Sequence, residues 1–295
     1  MTVNGGTQAL ASQLTFFNDG LGDNFGVLPD FGQTTEIVNW FETDQCRTML
    51  DLSRSWFQAG YYSADAATNQ DSGETLMRAG NLFSYFTAIK PNTDVEKRTQ
   101  TGYEVYVIPA AETVFTSSGS VNGLVYSLAN ASEDPVKAAA FYNWAFTSPE
   151  FNDTINWGVE GVDWVVDENG QAAYPEGIDA SNVGYHQDYG WAYLNQFCAH
   201  AWQGNDPDIW EQYEEFNANM LRSKAFGLTF DSTEVADQIA ACTAVFDQYD
   251  NDLFWGTADP ETTLPVFNEA LYAAGLQDIL DAKQAQLDAF LASAE

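Results

Sequence analysis

Three consecutive helices are predicted by Gly227–Ala292, which reads GLTFDSTEVADQIAACTAVFDQYDNDLFWGTADPETTLPVFNEALYAAGLQDILDAKQAQLDAFLA. The first begins near Ser232, an N-cap residue type, and runs to Tyr249. The second follows Asp259-Pro260, which combines a capping Asp with Pro at the first helical position, and the third follows Gly275. The apolar faces of the last two helices hold, at helical spacing, Leu264, Phe267, Leu271 and Ala274, then Leu276, Ile279, Leu280, Leu287, Phe290 and Leu291. We expect these faces to pack within the protein.

Upstream of this helical end, strand and helix signals alternate. A helix is predicted from the N-cap Thr43 to Gly60, and another follows Asp134-Pro135. Runs of aromatic and β-branched residues predict three strands, at Asn81–Ile89, Tyr103–Pro109 and Val121–Leu128. Strand, short polar loop and amphipathic helix in succession are typical of α/β domains.

The second half of the chain has a different character. Trp164–Tyr174 predicts a β-hairpin, with Asn169-Gly170 as a type I′ turn. Aromatic and polar residues follow without clean periodicity until a helix near Trp210–Leu221.

The charge balance excludes several classes of protein. The 295 residues include 43 Asp and Glu against 10 Lys and Arg, a formal net charge of −33 at pH 7. Such a polyanion cannot release counterions from nucleic acid, so no nucleic-acid partner is expected. Aromatic residues make up 15% of the chain, which argues against disorder. No run approaches the roughly 18 apolar residues of a membrane-spanning helix. The sequence therefore predicts a soluble, acidic globular protein, which we expect to be a monomer.

Catalytic and metal-binding motifs are missing from the sequence. It contains no GxSxG elbow, Walker loop, HExxH or GxGxxG motif. The three cysteines are far apart, and two histidines are too few for a His-rich metal site. The acidic run at 247–252 lacks the alternating ligands and central Gly of an EF-hand loop, so a solvated helix end is favoured over calcium. We therefore expect no catalytic residue, no metal and no cofactor.

Amphipathic aromatic residues lie beside amides and acids in the irregular segments. They occur as Trp157-Gly-Val-Glu160-Gly, Tyr185-His186, Tyr189-Gly-Trp191 and Trp202-Gln-Gly-Asn205-Asp206. A sugar ring stacks its C–H face on a flat aromatic ring, while amides and carboxylates bind its paired hydroxyl groups. Such side chains on loops beside a cleft are expected in a carbohydrate site, although packing is the commoner explanation for any single one of them.

Read in order, several segments resemble the extracellular solute-binding proteins, family 1, of ABC importers. The closest resemblance is to the LipO-like subgroup with a DUF3502-type C-terminal region. The segments are Ser55–Thr68 (SWFQAGYYSADAAT), Ser120–Glu150 (SVNGLVYSLANASEDPVKAAAFYNWAFTSPE), Asn156–Gly170 (NWGVEGVDWVVDENG) and Gly227–Ala292. Together they cover most of residues 43–292, and the last is the most specific.

The resemblance implies a periplasmic-binding-protein-like type II α/β fold, of which this chain is the C-terminal lobe with the return segment and the C-terminal helices. The lipoprotein signal, the lipidated Cys and most of the N-terminal lobe are lacking, so Met1 is interpreted as the start of a truncated two-lobe fold. Residues 1–150 are assigned to the solute-binding α/β fold, including its return to the hinge. Residues 151–295 are assigned to the DUF3502-like region, a hairpin plus helices. At Asp163-Trp164 the subgroup has a basic residue and Tyr, which leaves the ligand open.

By this resemblance the chain is expected to be the substrate-binding component of an ABC importer and not an enzyme. It would capture an extracellular carbohydrate, an oligosaccharide, in an interlobe cleft and deliver it to the permease subunits. Its expected location is the extracellular face of the cell membrane, through a lipid anchor absent from this chain, or the periplasm. The residues expected to bind the ligand by stacking and hydroxyl hydrogen bonds are Tyr85, Trp157, Glu160, Trp191, Trp202 and Asn205.

Three alternatives stay open at this point. A carbohydrate-active hydrolase would need two facing carboxylates about 5 to 10 Å apart in a sugar-sized cleft. A peptide or another polar solute could be the ligand, because fold does not fix function. The ligand contacts could also lie mainly on the absent lobe, in which case this chain binds nothing by itself.

Overall fold

The computed structural model describes residues 2–4, 9–187 and 190–293, and it groups them into two compact units. Unit 1 contains the chain up to Ile89, Glu96–Gly123 and the chain from Met220 onward. Unit 2 contains Lys90–Val95 and Leu124–Asn219. Each unit is assembled from separate stretches of sequence. The assignment of 1–150 and 151–295 to two regions rests on sequence resemblance alone and stays a prediction.

Unit 1 is mainly helical. Its long helices are α2 (Asp44–Gln58), α9 (Ala236–Phe254), α10 (Pro260–Ala273) and α11 (Leu276–Ser293). Its shorter helices are α1 (Pro29–Gly32), α3 (Gly73–Arg78), α5 (Ser118–Val121) and most of α4 (Thr93–Thr101). Two parallel pairs of short strands complete it, β1 (Thr2–Asn4) with β2 (Leu82–Ser84) and β3 (Phe115–Thr116) with β6 (Leu221–Arg222).

The helix starts follow the capping signals of the sequence, with one exception. The Thr43 hydroxyl accepts a hydrogen bond from the Cys46 N–H at the start of α2, and the Asp259 carboxylate accepts one from the Glu261 N–H at the start of α10. The helix predicted from Ser232 to Tyr249 instead begins at Ala236, after a 3₁₀ turn at Thr233–Val235, and runs to Phe254. Ser232 makes no side-chain cap, so it does not fix the helix start.

The core of unit 1 forms where the last helices meet the segment before α2. The ring of Phe41 packs on Phe267 of α10, with ring centroids 4.9 Å apart. A buried amide pair lies beside these rings, because Asn39 Nδ2 donates to Asn268 Oδ1 at 2.9 Å and Asn268 Nδ2 donates to the Phe41 carbonyl. The apolar face predicted for the last helix is buried at Leu276, Ile279, Leu280 and Leu287. These contacts confirm the intramolecular packing expected from the helical stripes.

A buried cation joins the last helix to the N-terminal loop. The side chain of Lys283 in α11 is 0% exposed, and its Nζ lies 2.5 Å from Asp23 Oδ1 and 3.1 Å from the Gly26 carbonyl oxygen. The ring of Phe230 lies beneath the ammonium group. Burial lowers the pKa of Lys283, and the neighbouring Asp23 opposes that effect.

Two predicted strands do not form, and a third is shortened. The strand predicted at 81–89 is restricted to β2, where Leu82 pairs with Thr2. No strand is assigned among the described residues at 103–109, and Tyr106 is 93% exposed. The segment at 121–128 begins as the end of α5 and continues without regular structure. An alternating pattern indicates only the capacity to pair, and a strand needs a neighbouring strand to receive its backbone hydrogen bonds.

In its described residues, unit 2 contains three complete α-helices and one hairpin. The helices are α6 (Pro135–Thr147), α7 (Pro149–Trp157) and α8 (Ile209–Ala218), and the hairpin pairs β4 (Val165–Val166) with β5 (Ala172–Ala173) in antiparallel register. The Gly170 N–H donates to the Asp167 carbonyl, and Gly170 has φ +78°, whereas Asn169 does not have positive φ. The turn is therefore a type I turn followed by a left-handed Gly, and the type I′ prediction was wrong. No helix in the described residues is long and apolar enough to cross a membrane.

Replacement of Lys283 by Met should strongly destabilise unit 1. The substitution keeps a long apolar stem but leaves the Asp23 carboxylate beside the core without its cation, which costs about 3 to 5 kcal/mol when a buried pair loses one partner. Urea denaturation measures this as a fall in the free energy of unfolding. Lys224→Met, at an exposed position two residues beyond β6, is the matched control and should change it by less than about 0.5 kcal/mol. A K283M protein as stable as the control would contradict the inferred contribution of the Lys283–Asp23 pair to stability.

Candidate functional site

Helix α7 positions the first aromatic residue of the candidate site. The Ser148 hydroxyl caps the helix by accepting from the Phe151 N–H, and Pro149 occupies its first position. The helix ends at Gly158, which has φ +93°. A Cβ at Gly158 would lie 2.5 Å from Asp163 Oδ2, so a larger residue would collide with that carboxylate. The tight turn leaves Trp157 at the end of α7, facing the hairpin.

Four rings of unit 2 form the aromatic cluster, which we define as Trp157, Tyr174, His186 and Trp202. Trp202 lies at its centre, with its ring centroid 4.8 Å from Trp157, 4.7 Å from Tyr174 and 4.3 Å from His186. The ring of His186 also packs on Trp157 at 5.2 Å. Rings at these separations attract one another beyond the burial of their area.

The hairpin brings Trp202 to Trp157. The Ala172 N–H in β5 donates to the Ala201 carbonyl at 2.8 Å, and the Gln203 N–H donates back to the Ala172 carbonyl at 2.8 Å. These two bonds hold the segment around Trp202 alongside β5. The cluster therefore depends on a backbone pairing between residues about 30 positions apart in the sequence.

The rings of the cluster differ in exposure. Trp157 is 4% exposed, and its indole Nε1–H donates to the His200 carbonyl at 3.1 Å. Trp164 is similarly buried beside it, with its Nε1–H bonded to the Gly158 carbonyl. Trp202 is only partly buried and packs on this layer. The arrangement is an accessible indole resting on a buried aromatic support whose polar atoms are already satisfied.

Amide groups border Trp202 through a tight turn. Both the backbone N–H and the side-chain Nδ2 of Asn205 donate to the Trp202 carbonyl. Gly204, between Trp202 and Asn205 in the sequence, has φ +91°. The Asn205 carbonyl accepts from Gln171 Nε2 at 2.9 Å, which ties the turn to the hairpin. These bonds hold the turn from Trp202 to Asn205 on the hairpin.

A carboxylate loop follows Trp157. The Asp163 carboxylate is 8% exposed and accepts from the Val159 N–H at 2.9 Å, which closes the loop between them. Glu160 lies at the tip of this loop with its side chain in solvent. A second buried carboxylate, Asp153, accepts from both the backbone N–H and Nδ1 of His200. This pair orients the His200 ring against Trp164.

The imidazole of His186 is held in a low-polarity environment. Among the described residues, neither the buried Nδ1 of His186 nor the buried Oδ1 of Asn156 in α7 has a hydrogen-bond partner. Burial lowers the pKa of His186, because the charged form loses its hydration among the surrounding rings. The aromatic cluster therefore contains a neutral imidazole at neutral pH.

The structure brings together some of the six residues predicted to bind ligand. Trp157 and Trp202 are in contact, and Asn205 and Glu160 lie on the turn and the loop that adjoin them. Trp191 lies on a separate loop of unit 2 and is 61% exposed. The neighbouring Tyr189, one of the aromatics in the sequence pattern, lies outside the described residues.

Tyr85, the sixth residue, lies in unit 1 rather than with the other five. Its ring packs on Gly73, where a Cβ would come within 2.4 Å of the ring. Burial and the adjacent Glu74 carboxylate raise the pKa of the Tyr85 hydroxyl above its usual range. Lys97 makes ion pairs with Glu74 and Glu96 beside it. Its immediate surroundings are those of a packed ring in a charged cluster.

Sequence reasoning did not assign Tyr174 and His186 to the site. The sequence indicates Tyr174 only as the last residue of the hairpin, and His186 only as part of the Tyr185-His186 pair in an irregular segment. The place of Tyr174 beside the site could have been inferred, because it directly follows the two alanines of β5. No sequence signal identifies the ring partners of His186, because no periodicity relates it to Trp157 or Trp202.

A partly exposed indole on a buried support offers a flat apolar surface on which a ligand can stack. Comparison with known proteins identifies the fold as that of a solute-binding protein. Residues 224–292 match the family model described as a domain of unknown function (DUF3502). A carbohydrate ABC transporter substrate-binding protein of Streptococcus pneumoniae serotype 4 is 25% identical over 279 residues, which cover 88% of this chain and 52% of that protein.

Solved structures give the same result for the fold. The crystal structure of the N-glycan transport solute-binding protein NgtS of Streptococcus pneumoniae matches with a TM-score of 0.82 at 21% identity, over 100% of this chain and 64% of that one. NgtS in complex with Man1GlcNAc matches with a TM-score of 0.80 at 21% identity, over 99% of this chain and 64% of that one. The alginate-binding protein AlgQ2 without calcium ion matches with a TM-score of 0.53 at 12% identity, over 97% of this chain and 64% of that one.

These similarities confirm the recognition made from the sequence. The chain carries a DUF3502 region at 224–292 and is homologous to a substrate-binding protein of a carbohydrate ABC transporter. Its fold is the periplasmic-binding-protein type of α/β fold that the sequence predicts. The chain spans about half the length of the curated relative that it matches.

The His186 imidazole should make stability depend on pH. An unfolded His has a pKa of about 6.5, whereas burial lowers that of His186 in the folded chain. Between these two values the unfolded chain binds the extra proton, so the free energy of unfolding falls as pH falls below about 6.5. Urea denaturation at pH 7.5 and 5.5 should show a larger loss for the wild type than for His186→Phe, which keeps a ring but cannot titrate.

Tyr185→Phe is the matched control for this comparison. It changes the adjacent residue, whose hydroxyl donates to the Ile155 carbonyl, without altering any group that titrates in this range. We expect it to lower stability equally at both pH values and to keep the wild-type pH dependence. Equal pH dependence in wild type and H186F would show that the imidazole is not the responsible group.

Proposed function

We propose that the chain is the substrate-binding component of an ABC importer and captures an oligosaccharide at the aromatic cluster of unit 2. The observation that supports this is the Trp202 indole, partly exposed, fixed on buried Trp157 and bordered by Asn205. Stacking on the indole would supply most of the affinity, and the neighbouring amides would bind hydroxyl groups. The curated relative is named for the same task, and NgtS has been crystallised with Man1GlcNAc and Man5GlcNAc.

Each predicted binding residue takes a different part in this proposal. Trp202 is the stacking surface, Trp157 supports it from beneath, and Asn205 and Glu160 reach hydroxyl groups at its edges. Trp191 is assigned to a more distant sugar unit of the same oligosaccharide, whereas Tyr85 lies in unit 1 and stays a prediction from the sequence. The solute would be released without chemical change and delivered to the permease. This would take place at the extracellular face of the membrane, where a lipid anchor would hold the protein, or in the periplasm.

A thermal-shift panel tests the proposed ligand class. Oligosaccharides, monosaccharides and short peptides are added to the chain and to a longer form that restores the length of the curated relative. A ligand at 100 times its dissociation constant should add about 2.7 kcal/mol of stability. Stabilisation by an oligosaccharide that is recovered intact after long incubation supports the proposal. Stabilisation by peptides alone would overturn the carbohydrate assignment, and release of shorter sugars would indicate a hydrolase.

The Trp202→Ala variant tests the stacking surface. Loss of the accessible indole should weaken binding of the oligosaccharide at least about tenfold, which corresponds to about 1.4 kcal/mol. Trp144→Ala is the matched control, because Trp144 is a half-exposed indole of the same unit that packs on Phe151 of α7 rather than in the aromatic cluster. Isothermal titration should give wild-type affinity for W144A. A W202A protein with unchanged affinity would place the ligand elsewhere.

A further inference from the structure

Unit 2 carries a marked excess of negative charge. It contains 17 Asp and Glu against two Lys and no Arg, a formal net charge of −15. An excess of one sign in the walls of a binding region raises the concentration of oppositely charged solutes and lowers that of like-charged ones. This effect acts on a ligand of the aromatic cluster only if carboxylates lie near the cluster.

Carboxylates surround the aromatic cluster along the chain. Glu160 and Asp163 follow Trp157 within six residues, and the Asp163 carboxylate lies against the Gly158 backbone. Asp206 follows Asn205 directly and is exposed. Asp153 sits one helical turn before Trp157, where it holds His200. Acidic residues therefore neighbour Trp157 and the Asn205 turn along the chain.

The two Lys residues of unit 2 lie at other places. The Nζ of Lys90 is 5.8 Å from the ring centroid of Tyr213, which contacts Phe197 and Trp210 rather than the cluster. Lys137 lies exposed in the first turn of α6. The histidines supply no free cation either, since His200 is already engaged by Asp153 and His186 is buried among the rings.

A metal ion could in principle bridge an acidic site to an acidic sugar. Among the described residues, no group of three or more His, Cys, Asp or Glu side chains is placed to hold one. Recognition of a sugar carboxylate would then need a cationic side chain, whereas unit 2 has no Arg and the described ring contacts of the cluster include neither of its two Lys residues. A carboxylate brought to the cluster would lose its hydration without gaining a partner.

We propose that the aromatic cluster selects uncharged oligosaccharides and rejects their uronic-acid counterparts. The inference rests on the proposed function and specifies its ligand class. The fold alone leaves the choice open, because its solved members include one crystallised with Man1GlcNAc and Man5GlcNAc and one named for alginate, a polymer of uronic acids. The side chains of this chain favour the uncharged class. Acids neighbour Trp157 and Asn205 along the chain, and the rings that contact Trp202 in the described residues, those of Trp157, Tyr174 and His186, include no Lys or Arg.

The test compares sugars that differ only in charge. β-1,4-Mannohexaose and β-1,4-hexamannuronate share linkage and ring stereochemistry, and cellohexaose and its C6-oxidised uronate form a second pair. Affinities are measured by isothermal titration of the longer form at 20 mM and 300 mM NaCl, with EDTA present. We expect the neutral member of a pair to bind at least about tenfold more tightly at low salt. The ratio should shrink at high salt, because ions screen the repulsion.

A charge-reversal variant links the selectivity to the site. Glu160→Lys places a cation beside Trp157 and should reduce the preference for the neutral sugar several-fold, mainly by improving binding of the uronate. Glu133→Lys, in the loop before α6, makes the same change in net charge and serves as the control. If E133K reduces the preference as much as E160K, net charge rather than the local carboxylates sets the selectivity, and the proposal as stated is wrong.

The remaining outcomes separate this inference from the proposed function. Equal or tighter binding of a uronate at low salt overturns the inference and leaves a carbohydrate-binding protein in place. Uronate binding that appears only when calcium replaces EDTA also overturns it, since a metal would then bridge the charges. If neither member of either pair binds and the wider panel of neutral oligosaccharides is also silent, the proposed function fails and the inference fails with it.

Discussion

Scarcity of cations is the constraint on which this structure depends. With 43 acidic residues and 10 basic ones, most carboxylates have no cation with which to pair. The aspartates instead accept hydrogen bonds from backbone N–H groups, as helix caps and in the tight turns that connect the elements. This holds for Asp19, Asp134, Asp163, Asp167, Asp179, Asp231 and Asp259. The negative charge that would oppose compaction is thereby used to fix the chain locally.

A buried cation secures a contact that no local bond could make. Lys283 joins α11 to the loop at Asp23 and Gly26, more than 250 residues earlier in the chain. Around it, Gln284 receives the Ile37 N–H and donates to the Thr35 carbonyl, so one face of the last helix holds the N-terminal loop by polar contacts as well as apolar ones. The segment that matches the DUF3502 family and the start of the chain therefore share one core.

The parts of this structure that could be predicted from sequence are those that local signals determine. The Thr43 and Asp259 caps act on residues two or three positions away, and α2 and α10 form where expected. The segment at 103–109 has the alternation of a strand but no partner strand in the described residues, so the strand predicted there does not form. Within the site, Trp157 and Trp202 could be chosen as aromatics in loops. That Tyr174 and His186 join them depends on the pairing of β5 with residues 201–203, which no local pattern encodes.

The same scarcity shapes the chemistry of the aromatic cluster. A site without cations has to obtain its affinity from ring stacking and neutral hydrogen bonds, and these reward surfaces that are rigid before the ligand arrives. The indole N–H groups of Trp157 and Trp164 are committed to backbone carbonyls, and His186 fills the edge of Trp202 without adding charge. Within the described residues, the buried Nδ1 of His186 has no hydrogen-bond partner, which lowers stability. The rigidity of the cluster and its lack of positive charge thus have one origin, the composition of the chain around it.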